Sequence, residues 1–184
     1  MCVLDADGVM ARNAFAAVSG DNAFGDDCVG AVQISVWMKN RTDTRPLPQA
    51  GRVRNAFARY LIRMQDLEFR SVIVGMQAFR GRTGTVSLGG NGQFTRLSAL
   101  DVIDQRYGEP WHGSLLEDYE LGVHVILAGY KIRHIDETHV SQEALPSLRR
   151  LLTQRTRWTQ GNIQCLKYIH QIIRSPRFQS AGVL

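Results

Sequence analysis

The sequence predicts an α/β fold, and three observations carry that expectation. Short apolar runs read as strands, above all VGAVQISVWMK from Val29 to Lys39, which alternates apolar and polar residues in part. Longer stretches repeat apolar residues at helical spacing, with basic residues on the other face. Turn-forming segments such as NRTDTRPLPQAG and GRTGTVSLGGNGQFTR separate the two kinds, so helices and strands mix along the whole chain. With 184 residues, 44% hydrophobic and 21% charged, the chain suffices for one domain with a real core.

Taken in order, Met1 to Leu4 reads as a short buried strand and Asp5-Ala6-Asp7-Gly8 as the turn that ends it. Ala11 to Val18 is a short helix and SGDNAFGDD a loop. Val29 to Lys39 is a half-exposed strand, followed by a linker from Asn40 to Gly51. From Arg52 to about Phe79, the positions Val53, Phe57, Tyr60, Leu61, Met64 and Leu67 mark an amphipathic helix. Thr85 to Leu88 is a short strand, and Ser98 to Gln105 a helix with Ser98 as N-cap. Glu117, Asp118 and Glu120 open a further helix, where carboxylates suit the positive end of the dipole, and Gly129 closes it. Lys131 to Ile135 is a strand. From Leu145 to about Arg174 the chain becomes a long basic amphipathic helix.

The formal net charge of +5 favours an anionic partner. Residues 145–177 concentrate this charge: they are basic and contain no Asp or Glu. No recognisable nucleic-acid module accompanies the charge, so nucleic acid is not an expected partner. Cys2, Cys28 and Cys165 are far apart and form no CxxC pair, which argues against a zinc ribbon or a disulfide framework and fits a reducing compartment. No run of about 18 apolar residues is present, and no basic-then-apolar leader opens the sequence. Because Met1 leads straight into a strand that carries a motif, the chain is expected to be a fragment or to have a start assigned too late.

Four motifs carry chemistry. Asp5 and Asp7 end an apolar run, which fits a nucleophilic Asp, a metal-holding pair, or simply a capped turn. DADGV, with GDNAFGD at Gly20 to Asp26, resembles the haloacid-dehalogenase-like enzymes, but the second acidic motif follows too soon to leave room for their intervening fold. LLEDYELG places Asp118 at a helix start, where it can cap, act as a base, or both. QRTRW puts Gln154, Arg157 and Trp158 on one helix face, since i, i+3 and i+4 project together. An Arg fork suits phosphate oxygens, an indole offers a platform for a sugar ring, and the amide can donate or accept. The alternative for this trio is a solvated basic face. Gly89-Gly90-Asn91-Gly92 either lets backbone approach a ligand or forms an ordinary hairpin turn. The five histidines form no ligand spacing.

In this order, D-x-D, G-G-N-G, E-D and Q-x-x-R-W, spread from Leu4 to about Asn162, the chain resembles the processive branch of the family-2 glycosyltransferases, which includes the cellulose, chitin and hyaluronan synthases. The resemblance implies a GT-A fold, a Rossmann-like sandwich whose N-terminal half of the sheet is missing here. It implies inverting transfer of a hexose or N-acetylhexosamine from a nucleotide donor, usually UDP-linked, to a glycan or lipid acceptor. Asp5 and Asp7 match the pair that holds Mg²⁺ or Mn²⁺, a hard cation suited to carboxylate and phosphate oxygens. Asp118 matches the general base, with Glu117 beside it on the acceptor side. Gln154 and Arg157 would bind the donor diphosphate and Trp158 the acceptor sugar, with Gly90 and Asn91 in the acceptor loop. The resemblance makes residues 1–144 a partial GT-A domain and 145–184 a helical segment lying on the membrane. It places the protein at the cytoplasmic face of the cell membrane and makes the full-length protein an integral membrane protein. A non-processive family-2 enzyme and an inactive truncated fragment are the alternatives, and this piece alone is expected to be inactive.

Overall fold

A computed structural model describes residues 1–176. Residues 177–184, the end of the expected basic segment, lie outside the described residues. The elements run β1 (Cys2–Val3), β2 (Val9–Met10), α1 (Ala14–Val18), β3 (Val29–Met38), α2 (Arg52–Leu67), a π-helical turn (Glu68–Ile73), α3 (Val74–Thr83), β4 (Gln93–Thr95), α4 (Leu97–Tyr107), α5 (Glu117–Leu127), β5 (Lys131–Gln142), α6 (Leu148–Gln164), a 3₁₀ turn (Cys165–Tyr168) and α7 (Ile169–Arg174). The α/β expectation holds.

One five-stranded sheet has the order β1-β4-β3-β5-β2. Only β3 and β5 run parallel; the other three pairs are antiparallel. The register of β3 with β5 slips between Ile34 and Ser35, where Ile34 faces Ile135 but Ser35 faces His139. β3 is the sheet's centre, and its residues up to Ser35 are all buried, not half exposed as its alternation suggests. The reason lies in its polar positions. Val32 and Ile34 join α1 in one core cluster with Phe94 and Val140, while Ala31 joins the opposite cluster with Leu121 and Val125 of α5. Successive strand residues alternate faces, so Gln33 and Ser35 point to the α5 side, where they meet protein and not bulk water.

Other expectations are corrected. Met1 and Leu4 are exposed at 41% and 42%, so β1 is an edge strand and not a buried one. Thr85 to Leu88 is not a strand. The Ser87 backbone is held instead by the Gln77 side chain of α3, which accepts from its N–H at 3.2 Å and donates to its carbonyl at 2.7 Å. Pairing moves to Gln93–Thr95, after a turn at Gly92 with φ +74°. A side chain there would strain the backbone and meet Ile34 and Val140 at 2.8 Å. Helix α4 begins at Leu97 after Arg96, so Ser98 is not its cap. Strand β5 continues past Ile135 to Gln142, and the long C-terminal helix breaks at the 3₁₀ turn.

The boundary expected between residues 144 and 145 falls in a segment tied to the rest of the fold. Asn40 makes two bonds of 2.9 Å to the Ala144 backbone, and Gln65 donates to the Leu145 carbonyl at 2.9 Å. Further on, Cys165 and Tyr168 pack on Val123 of α5. Among the described residues no helix is long and apolar enough to cross a membrane.

Candidate active site

The turn after β1 closes through the Gly8 N–H, which donates to the Asp5 carbonyl at 2.8 Å. Its neighbour is the glycine-rich loop before β4. The Asp5 N–H donates to Asn91 Oδ1 at 3.3 Å, and Asn91 Nδ2 donates to Gln142 Oε1 at 2.8 Å. Both ends of the buried Asn91 amide are therefore engaged within the protein. Gln33 carries the loop from below: its Nε2 donates to the Asn91 carbonyl at 2.8 Å and its Oε1 accepts from Gly89 N–H at 2.8 Å. Asp7 turns elsewhere. Its Oδ2 accepts from the Glu143 N–H at 2.7 Å, and its carbonyl accepts from Lys39 Nζ at 2.9 Å.

Asp118 stands in the first turn of α5. Its Oδ2 accepts from the Gly90 N–H, and its Oδ1 from the Tyr119 N–H at 2.8 Å. The acidic helix start and the glycine-rich loop are thus joined at the carboxylate itself. Two residues on, Glu120 is fully buried and accepts from Tyr168 Oη at 2.7 Å, from Lys167 Nζ at 2.9 Å and from the His112 N–H at 2.9 Å. Burial alone would raise its pKa, but the bonds from Lys167, Tyr168, His112 and Ser114 outweigh burial and bring it to about 2.

Helix α6 crosses in front of this pair. Gly161 is where it comes close: a Cβ there would meet Leu116 Cγ at 2.6 Å and Leu116 N at 2.7 Å. Gln164 Oε1 accepts from the Leu115 N–H at 2.8 Å. On the same helix Arg155 pairs with Glu68 of the π turn at 2.6 Å, and its guanidinium lies 4.3 Å over the Trp158 ring. Phe69 meets that indole edge-on with ring centroids 6.5 Å apart.

A cleft of about 320 Å³ results, and Asp5, Gly90, Asn91, Glu117, Asp118, Gln154, Arg157 and Trp158 all line it. Of the residues expected from the sequence, Asp7 alone is outside the lining. The sequence reasoning missed Gln33, Ser35, Tyr119 and Gln142, which share the wall. Ser35 Oγ is buried there with no hydrogen-bond partner among the described residues. Only the alternation of β3, read against Ala31, could have marked Gln33 and Ser35 as belonging to one face.

The cleft is acidic at its floor. Burial pushes the Asp118 carboxyl up, the Gly90 and Tyr119 amides pull it down, and Glu117 adds to the rise. Asp5 is raised too, by burial first and then by Asp7 and Asp118, with Arg157 opposing. Among the described residues no group of three or more His, Cys, Asp and Glu is placed to hold a metal ion. Asp5 lines the cleft close enough to Asp118 for that carboxylate to raise its pKa, and a site of one or two carboxylates fits Mg²⁺, since that ion completes its shell with phosphate oxygens and water.

A protein-family model described as glycosyl transferase family group 2 matches residues 2–184. A comparison with curated proteins finds no match.

Proposed function

The chain belongs to glycosyl transferase family group 2, and from that premise we propose that its cleft transfers a hexose or N-acetylhexosamine from a nucleotide donor, UDP-linked, to a glycan or lipid acceptor with inversion. One observation carries this reading: eight residues from four separate stretches of sequence converge on a single cleft around Asp118.

Asp118 takes the proton. Its raised pKa makes it a better base than an exposed carboxylate, and the Gly90 and Tyr119 amides fix its orientation. The acceptor oxygen forms a bond to the anomeric carbon as its proton passes to Asp118. On the opposite side the bond from that carbon to the diphosphate oxygen breaks, so a single displacement inverts the centre. Arg157, exposed at the rim, and Gln154 bind the departing diphosphate and offset its charge. Trp158 receives the acceptor sugar on the ring face opposite Arg155. Asn91 serves by holding Asp5 in place. Asp5 would hold Mg²⁺ or Mn²⁺ from the cleft wall, and Asp7 would join it only by leaving the Glu143 N–H that its Oδ2 now accepts from. Such an ion, when bound, supplies positive charge to the diphosphate oxygens. We further place the protein at the cytoplasmic face of a membrane, through the basic helices α6 and α7.

The test is a panel of UDP-sugars with Mg²⁺ or Mn²⁺, supplied to the full protein in native membranes beside an Asp118→Asn variant. Transfer of one sugar is expected, lowered about 10²–10⁴-fold in the variant with donor affinity nearly unchanged. Equal loss of donor binding would make Asp118 a structural residue. No turnover of any sugar by folded protein would move the inactive reading to the front. Product length separates a processive synthase from a non-processive enzyme.

A further inference from the structure

Among the described residues, five side-chain polar atoms are buried without a hydrogen-bond partner: Ser35 Oγ, Gln93 Oε1, Thr95 Oγ1, His124 Nδ1 and Arg133 Nε. A folded protein leaves few such atoms, and each has a reason. Of these five residues, only Ser35 lines the cleft. It is 3% exposed, so the space its hydroxyl meets is the cleft and not open solvent.

The sheet explains why Ser35 stands alone. Strands β3 and β5 keep step from Ala31 to Ile34, and then Ser35 stands opposite His139. Asp136, Glu137 and Thr138 are extra residues on the β5 side of this slip. Such a bulge bends its strand and re-aims the side chains beside it. Asp136 and Glu137 are exposed, and the buried Thr138 donates to Asn13 Oδ1 at 2.9 Å, beside α1 on the far face of the sheet. None of the three serves Ser35. Gln33, the next residue on the same face, commits its amide to the Asn91 carbonyl and the Gly89 N–H.

Ser35 also has fixed neighbours within the cleft. Val36, next to it in the chain, and Phe69 of the π turn both pack on the small core of Met38, Ile62 and Ala144. Phe69 in turn meets Trp158 edge-on. Ser35, Phe69 and Trp158 therefore share one end of the cleft. About 7 Å back along β3, Gln33 supports the loop that binds Asp118. An indole platform with an unpaired hydroxyl at its foot and a carboxylate beyond suits a sugar ring. The ring's apolar face stacks on the indole, and a ring hydroxyl meets the serine. A hydrocarbon chain in the same place would leave Ser35 Oγ unpaired.

We propose that Ser35 is a specificity-determining residue whose Oγ hydrogen-bonds a ring hydroxyl of the acceptor, and that the acceptor presents a sugar, not a bare lipid, to this end of the cleft. The assignment rests on the glycosyl-transfer reading of the cleft, with Trp158 as its acceptor platform.

The experiment is equilibrium binding to the full protein in detergent, for wild type and Ser35→Ala. The probes are tetrasaccharides of glucose, N-acetylglucosamine, mannose and galactose, and separately UDP with Mg²⁺. Binding of one tetrasaccharide is expected, weakened about tenfold in Ser35→Ala with UDP affinity unchanged. Of the monodeoxy forms of its terminal sugar, one should bind wild type and variant alike. The melting temperature should not fall in Ser35→Ala, because the lost hydroxyl has no partner within the fold. Binding of no tetrasaccharide, equal binding by wild type and variant, or a parallel loss of UDP affinity would each overturn the proposal. Transfer itself is scored separately. A Ser35-dependent sugar site in a protein that transfers nothing would keep the subsite and reject the reaction, whereas transfer with acceptor affinity indifferent to Ser35 would do the reverse.

Discussion

At the scale of single residues, the carboxylates of the cleft are coupled to one another. Glu117 contributes to the upward shift of both Asp118 and Asp5. The sign matters for activity: a base with a raised pKa is protonated, and so disabled, at a higher pH than an ordinary carboxylate. Glu117→Gln removes a negative charge and lets both pKa values fall. The acid limb of the pH–rate profile should therefore move to lower pH, with kcat on the plateau little changed. An unmoved limb would show that Glu117 does not act on the base. The residues at this scale were unevenly legible. Asp118, Arg157 and Trp158 stand in short motifs whose chemistry shows in their types and spacing. Gln33, Ser35 and Gln142 carry no such signal, because strand alternation and pairing bring them to the wall. Asp7 shows the opposite case: its spacing from Asp5 suggests a pair, yet its carboxylate turns to the Glu143 amide.

At the scale of elements, the candidate site depends on how closely α6 approaches the start of α5. Gly161 permits that approach, with Leu116 where a side chain would go. Gly161→Ala should destabilise the fold by about 1–3 kcal/mol, as overpacking does. It should also move Gln154, Arg157 and Trp158 relative to Asp118, so transfer should fall more than the lost folded fraction explains. A melt together with a rate measurement on the folded fraction checks both parts. The helices themselves were legible in the sequence, since their apolar period is long and regular. Their interruptions were not. A π turn at Glu68–Ile73 leaves composition unchanged and widens the period by one residue, and the 3₁₀ turn at Cys165–Tyr168, between α6 and α7, tightens it. The Thr85–Leu88 segment reads as a strand because its apolar residues alternate, yet a glutamine side chain takes its backbone bonds.

At the scale of the whole molecule, Glu120 is the tie between halves. It sits in α5 and binds Lys167 and Tyr168 beyond α6, and the His112 and Ser114 amides before α5. Its pKa falls from 4.5 to about 2 on folding. A depressed acid contributes stability that is complete above its unfolded pKa and is lost as pH falls through the folded one. The wild type should thus lose stability between about pH 4.5 and 2, and Glu120→Gln should flatten that slope while lowering stability at neutral pH. Denaturant midpoints across this range would decide, and a parallel slope in the variant would refute the tie. That the fold is α/β was readable from composition and period. The sheet order was not, because β1 and β2 are two residues each and pair only at long range.

The placement of those two short strands has a consequence in time. Cys2 pairs with Phe94, and Val9 with Ser141, so the Asp5–Gly8 turn hangs between opposite edges of one sheet. During synthesis this turn is made before its anchors, and neither exists until the chain has grown past residue 94 and then past residue 141. The turn is made before β3, β4 and β5 and is closed only after them, so the nascent chain carries its acidic turn unfastened until the central strands have formed.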